Sequence, residues 1–495
     1  MTAHRPAHRR TVRRSLHRPV HQTIVRRQGR RADVALAAEI ATSQVSNGVA
    51  QRLRQLVLGA GLLVLPLIFV VSLEDTFALP KFVVLCAVGS ASLVLLAMHA
   101  PSQDSGPVLA DLLVVALVVG NLVAFLFSID RGQSLFGERL QYQGLLAFVA
   151  YAAAYYLART TSFTDRTVVG LLSVMTLAAS LVAAYALVQR AGLDPIWDSL
   201  LRDRTFSTFG QPNALAAYLV LVLPIAAALL WWVRGSARAI LIGALVLMVT
   251  GLLTTQSRGG LAGLAAGATV LTIVLWLSGW SGNSRRYLAA GGLVLTVVAA
   301  SVLAAPMRGA IADYADRVRV GADPSGFEAR QLTALWEVGV AIAVDRPLTG
   351  GGQDTYPLLF DDYRDEVLDP YRASVLAEYR PESPHSAYVG VAAAAGFPTL
   401  AAYLALLAAA VVMLWRAAVH GGPTGRGRLA AGLLAGVVGY AVADAFRTPD
   451  VAGTWVLWTV LGLSAALYSR PASTAETATG ALVALGISGR GRGPD

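Results

Sequence analysis

"LVLGAGLLVLPLIFVVSL", residues 56–73, carries no charged side chain. A run of this length, wound as a helix, reaches across roughly 30 Å of hydrocarbon. It decides the fold because it recurs. Comparable runs lie at 81–99, 108–128, 142–158, 168–189, 214–233, 237–254, 260–279, 287–305, 397–415, 429–446 and 452–468, which makes twelve expected spans. Composition agrees: 495 residues, 55% hydrophobic and only 14% charged, with a mean hydropathy of +0.58. A soluble domain of this length would not look like this. The expected fold class is therefore all-α: a polytopic membrane protein of about 12 transmembrane helices.

Charge sets the expected orientation. The segment "HRPAHRRTVRRSLHRPVHQTIVRRQGRR", residues 4–31, is too long and too little broken by apolar residues for a secretory signal peptide. It reads as part of a disordered cytoplasmic tail (1–55) facing anionic lipid headgroups, or as an extension from an upstream start codon, rather than as a nucleic-acid binder. With that end inside, the cytoplasmic loops carry Arg159 and Arg166, Arg234 and Arg238, Arg285 and Arg286, then Arg416, Arg426 and Arg428. The positive-inside rule is obeyed, with both termini cytoplasmic. The opposite loops mix signs or run acidic, as at Glu74 and Asp75, Asp130 and Glu138, and Asp194, Asp198 and Asp203. The single cysteine, Cys86, excludes an intramolecular disulfide or a cysteine metal cage. Lys81 is the one lysine among 40 basic residues, an arginine bias of high-GC bacterial genomes.

The domain reading is a tail (1–55), nine spans (56–305), one large extracytoplasmic loop (306–396), three further spans (397–468) and a second cytoplasmic tail (469–495). Loops of that length are functional or disordered. This one contains "FEARQLTALWEVGVAIAVDRP", with Leu332, Leu335, Trp336, Val340 and Ala343 at helical spacing. An amphipathic helix on the membrane surface is expected, ended by Pro347 and followed by a flexible "TGGGQ". A second short helix follows His385, before Gly396 and Pro398 turn the chain into the next span. No internal repeat of the kind that builds many transporters is visible.

Chemistry-bearing residues fall in the outer loops. In "TTQSRGG", residues 254–260, Arg258 stands at a helix start opened by two glycines. A charge at membrane depth costs about 2.5–3.5 kcal/mol on insertion scales, so it needs water, a partner or an anion. Snorkelling to a lipid phosphate is the structural alternative; the helix-start N–H groups favour the same anion as the guanidinium. Arg204 precedes Pro212 and Asn213, which suit a helix start. For Arg204 a salt bridge to Asp203 or Asp198 and a substrate contact stay equally open. Arg330 and Arg346 belong to the amphipathic segment, where an exposed arginine is ordinarily a solvated charge. Converging on one outer site, such arginines would hold a strongly anionic lipid headgroup, a diphosphate. His385 in "SPHSAY" is either a helix cap or a neutral base at pH 7. The acidic run "FDDYRDEVLD" matches no calcium loop and reads as solvated surface.

Taken in order, "SLFGERLQYQGLLAFVAYAAAYYLAR" (134–159), "TFSTFGQPNALAAYL" (205–219), "TQSRGG" (255–260), "ARQLTALWEVGVAIAVDRPLTGGGQDTY" (329–356) and "SPHSAYVGVAAAAGFPTL" (383–400) resemble the O-antigen ligase and polymerase family of bacterial membrane glycosyltransferases. The likeness covers the chain from about Leu56 to Tyr468. It implies transfer of a glycan from an undecaprenyl-diphosphate-linked donor to an acceptor hydroxyl on a glycan, lipid or other molecule, at the outer face of a bacterial plasma membrane, in polysaccharide biosynthesis of the cell envelope. By motif position it puts the donor diphosphate on Arg258 and Arg330, with Arg204 a further candidate, and the acceptor hydroxyl on His385, with no metal and no cofactor. Where the family often has asparagine after that histidine, this chain has Ser386, which leaves the acceptor open.

Three rival expectations come with it. A repeat-unit polymerase of the same family differs only in its acceptor. A metal-dependent transferase acting on polyprenyl-phosphate sugars would use Glu74 and Asp75. A lipid-linked glycan transporter would guide the same anionic headgroup without making a bond.

Overall fold

The computed structural model describes residues 48–98, 108–196, 204–277, 327–377, 381–422 and 424–468. The chain divides into two units at Leu53/Arg54; of the first only 48–53 is described, and the packed bundle is the second. In chain order the helices are α1 (Gly48–Leu67), α2 (Ala78–Met98), α3 (Leu109–Leu126), the short α4 (Arg131–Phe136), α5 (Leu145–Thr160), α6 (Asp165–Arg190), α7 (Pro212–Leu229), α8 (Ser236–Thr254), α9 (Arg258–Leu277), α10 (Phe327–Asp345), α11 (Tyr356–Val367), α12 (Pro370–Ala377), α13 (Ala387–His420), α14 (Gly425–Asp444) and α15 (Val451–Tyr468). Ten are long and apolar enough to cross a membrane, and α5 is apolar but shorter. Among the described residues there is no strand, so the fold is an all-α, polytopic membrane bundle. The span expected at 287–305 lies outside the described residues.

Helix starts follow local chemistry. The Asp75 carboxylate accepts from the backbone N–H of Ala78 and Leu79, both at 2.9 Å, and opens α2. Thr164 caps α6 and Thr424 caps α14. Pro212 takes the first position of α7, where no N–H is needed. Lys81 is buried and donates to the carbonyls of Ile68 (2.7 Å) and Thr208 (2.6 Å), tying the end of α1 to the segment before α7.

Small residues let backbones meet where lipid gives helices no hydrophobic reason to associate. α14 packs against both α9 and α7. A methyl group at Gly267 would stand 2.6 Å from the Ala435 carbonyl oxygen, and one at Gly432 2.8 Å from that of Pro224. "GLAAG" (263–267) and "GLLAG" (432–436) are thus paired small-residue seams. α15 packs along α5 and buries Trp455 and Trp458.

α10 packs on α13 and α11. Its buried face is Ala334, Leu335, Val338 and Ile342, which meets Tyr356, Leu359 and Phe360. The sequence pattern put Val340 on that face, yet it is 46% exposed. The stripe is rotated because neighbouring helices cover it, where periodicity alone suggested a membrane surface. The "TGGG" stretch is also pinned. Gly351 and Gly352 donate to the carbonyls of Ala393 and Ala394 at 2.8 and 3.0 Å, while Ile129 donates to the Gly351 carbonyl at 3.1 Å. Those two carbonyls belong to the last turn of α13 before its break at Gly396 (φ 77°), two residues ahead of Pro398. The acidic run folds as α11 and its end, where Arg364 pairs with Asp361 and Asp365 and Arg372 with Asp369 and Glu337.

Candidate functional site

The turn at 445–450, between α14 and α15, is built around Arg447. Its guanidinium is 1% exposed and pairs with Asp444 Oδ1 at 2.7 Å and Asp450 Oδ2 at 2.8 Å. It also donates to the Thr448 carbonyl at 3.1 Å and to the Tyr440 hydroxyl. Burial works against the charge, but the flanking carboxylates outweigh it and hold the pKa above the ordinary arginine value. A buried cation held between two carboxylates in this way fixes a turn.

Fixing that turn fixes Thr448. Its Oγ1 lies 3.3 Å from His385 Nδ1 and shares a hydrogen bond with Ser383 Oγ. Ser383 Oγ accepts the backbone N–H of His385 at 3.2 Å. Burial lowers the His385 pKa from its ordinary value, so the ring is neutral at pH 7. Its backbone is left-handed, φ 50°. The other non-glycine residues with φ near +50° among the described ones are Tyr142, Ser207, Gln256 and Asp354, all in connections at the same end of the bundle. Such conformations cost on the order of 1–3 kcal/mol each and gather where function demands them.

The second part of the site is the turn between α8 and α9. Arg204 donates from Nε to the Thr255 carbonyl at 3.1 Å and from Nη2 to Asn213 Oδ1 at 2.9 Å. Asn213 therefore orients the arginine from inside α7, and Arg204 is tied to the turn that leads into Arg258. The expected partners Asp198 and Asp203 lie outside the described residues. Arg258 begins α9 and is partly buried. Between them Gln256 is buried, with neither amide atom hydrogen-bonded.

Phe446 joins the two parts. A Cβ at Gly259 would sit 3.1 Å from Phe446 Cβ, and the Phe446 ring packs at 6.1 Å between centroids on Trp336 of α10. Arg204 and Arg258 thus meet at one turn, His385 reaches the neighbouring one, and α10 packs on the latter through Trp336 against Phe446. Arg330 is on the first turns of α10, and its side chain lies outside the described residues. Arg346 pairs with Asp345 at 3.8 Å.

Beside His385, Pro384 and Ser386 line a cavity of ≈ 110 Å³ that also takes in Gln143, Gln353 and Asp354. Asp354 Oδ2 accepts the backbone N–H groups of Gln143 (2.8 Å) and Glu138 (3.1 Å). Desolvation nevertheless pushes its pKa up to about 6. In the connection between α1 and α2, Asp75 caps α2, and the exposed Glu74 pairs with the exposed Arg139 at 3.1 Å.

The reading of the sequence missed Arg447 and Asp354. One sign was legible for the first: "DAFRTPD" places an aspartate three residues to either side of Arg447. Nothing in "GGQDTY" marks Asp354 as different from a turn residue.

Residues 243–404 match the family model described as O-antigen ligase. That stretch contains Arg258, Arg330, Asp354 and His385, and it supports placing the chain in the O-antigen ligase and polymerase family. Comparison with curated proteins gives no match.

Proposed function

We propose, with the O-antigen ligase relationship as premise, that this protein is a membrane glycosyltransferase. It moves a glycan from an undecaprenyl-diphosphate-linked donor to an acceptor hydroxyl at the outer face of the bacterial plasma membrane, with inversion and without a metal. The large loop and its short helices, α10–α12, lie on that outer face, and both tails are cytoplasmic.

His385 removes the acceptor hydroxyl proton. The observation that carries this is the contact of its Nδ1 with Thr448 Oγ1 at 3.3 Å. With Nδ1–H donating to Thr448, whose hydroxyl donates on to Ser383, the Nε2 lone pair is the free proton acceptor. As the acceptor oxygen bonds to the anomeric carbon, the carbon–oxygen bond to the diphosphate breaks, its electron pair leaves with the phosphate oxygen, and the proton passes to Nε2. The departing diphosphate needs charge stabilisation and no proton. Arg258, Arg204 and Arg330 supply that, as preorganised cations do at other developing charges.

Replacing His385 or Arg258 by alanine, in membranes where the protein inserts at its normal level, tests the site: unchanged glycan transfer in both variants removes it. Transfer that stops on exhaustive chelation would favour the metal-dependent rival. Vesicles that move substrate without forming a glycosidic bond would favour the transporter. Cells lacking the gene separate ligase from polymerase, because the first loss accumulates long unattached polymer and the second single repeat units.

A further inference from the structure

The cavity beside His385 has walls of two kinds. Leu117, Ala387 and Ala394 give it apolar faces, and at one end stand the Gln143 and Gln353 amides and the Asp354 carboxylate. Both glutamines are buried, at 8% and 1% exposure. Each is half used. Gln143 Oε1 accepts the Tyr151 hydroxyl at 3.1 Å, while its Nε2 has no partner. Gln353 Nε2 donates to Asn121 Oδ1 at 3.0 Å, while its Oε1 has none. An unmade hydrogen bond at a buried amide is destabilising. One spare donor and one spare acceptor therefore sit on residues that line the same cavity.

We propose that this cavity seats one pyranose ring of the glycan, with Gln143 Nε2 donating to a ring hydroxyl and Gln353 Oε1 accepting from another. The inference rests on the glycosyltransferase reading. A diphosphate does not suit the cavity, which no lysine or arginine lines and Asp354 does. An isoprenoid chain would leave both amides unsatisfied. A sugar ring offers donors and acceptors on its rim and C–H groups on its faces, matching amide end and alanine walls together. The small volume, ≈ 110 Å³, limits the occupant to a single ring. The ring belongs either to the donor or to the acceptor.

The test uses the full chain in detergent and follows tryptophan fluorescence, since Trp458 lines the cavity. The probes are the monosaccharides released by hydrolysis of the host's own surface glycan, with inorganic pyrophosphate and farnesol for comparison. A saturable response to at least one monosaccharide is expected, abolished in Ala394→Leu, which fills the cavity, and weakened at least tenfold in Gln353→Leu. A thermal melt checks that both variants are folded; should one not fold, Gln143→Leu replaces it. No response to any monosaccharide, or one that persists in Ala394→Leu, overturns the proposal, as does a response to farnesol or pyrophosphate alone. Transfer assays separate the two readings. Normal transfer by Ala394→Leu with both KM values unchanged sinks the ring subsite and leaves the glycosyltransferase standing. Sugar binding without transfer in the unmodified protein does the reverse. A tenfold rise in the KM of the lipid-linked donor assigns the ring to the donor, and a rise for the acceptor assigns it there.

Discussion

The two turns of the candidate site are built on different plans. At 445–450 Arg447 is paired on both sides and the Thr448 carbonyl is bound, with Thr448 left to face His385. At 255–257 the Thr255 carbonyl serves Arg204, but the buried Gln256 amide has no hydrogen-bond partner and its backbone is strained. The first is held by ion pairs on both sides and acts as a frame. The second keeps polar capacity in reserve, in keeping with the anionic substrate proposed for it.

That contrast breaks most visibly at His385: His385→Ala is expected to lose about 10²- to 10⁴-fold in transfer rate at unchanged protein level. Next comes Arg447→Met, which strands two carboxylates in the interior. It should destabilise the fold by about 3–5 kcal/mol, read as a lower melting temperature in detergent. If the melt is unmoved, the turn is not the frame described. Arg258→Ala has the opposite balance, a loss of about 10²- to 10³-fold in transfer with a smaller drop in the melt than Arg447→Met gives. A variant that lost both together would erase the distinction between frame and receptor.

Acidity gives smaller effects. Because burial lowers the His385 pKa, the acid limb of kcat/KM should fall below the ordinary value of about 6.5, as the ring must lose its base form to a proton. A limb above that value contradicts a buried neutral imidazole. Asp354 runs the other way. Its folded pKa is raised to about 6, so its ionised form costs stability at pH 7, and the cost is relieved as pH falls from about 6 toward its ordinary value. Asp354→Asn should therefore melt higher at pH 7.5, by on the order of 1–2 kcal/mol, with the gain fading near pH 4.

How much the sequence disclosed depends on where each feature has its cause. Spans are set by local apolar length, so the expected 237–254 and 452–468 fall within a residue of α8 and α15. The face that α10 buries depends on its neighbours, and the pattern placed Val340 wrongly. Arg258 and His385 stood out because a polar residue at a span edge is unusual wherever the chain goes. Arg447 has the same local character, but its meaning comes from carboxylates that close on it only after two helices pack. The Gln143–Gln353–Asp354 group joins segments some two hundred positions apart, and no short motif advertises it.

The break at Gly396 has one further outcome. The N-terminal half of α13, with His385 at its head, is spliced to its membrane half and held there by amides lent from the glycine stretch at 350–352. The proposed base is therefore mounted on a bracket whose far screw lies in a loop. Lengthening or shortening that loop would re-aim the imidazole without touching a membrane-spanning residue, which gives a chain of this build a simple route to a differently shaped acceptor.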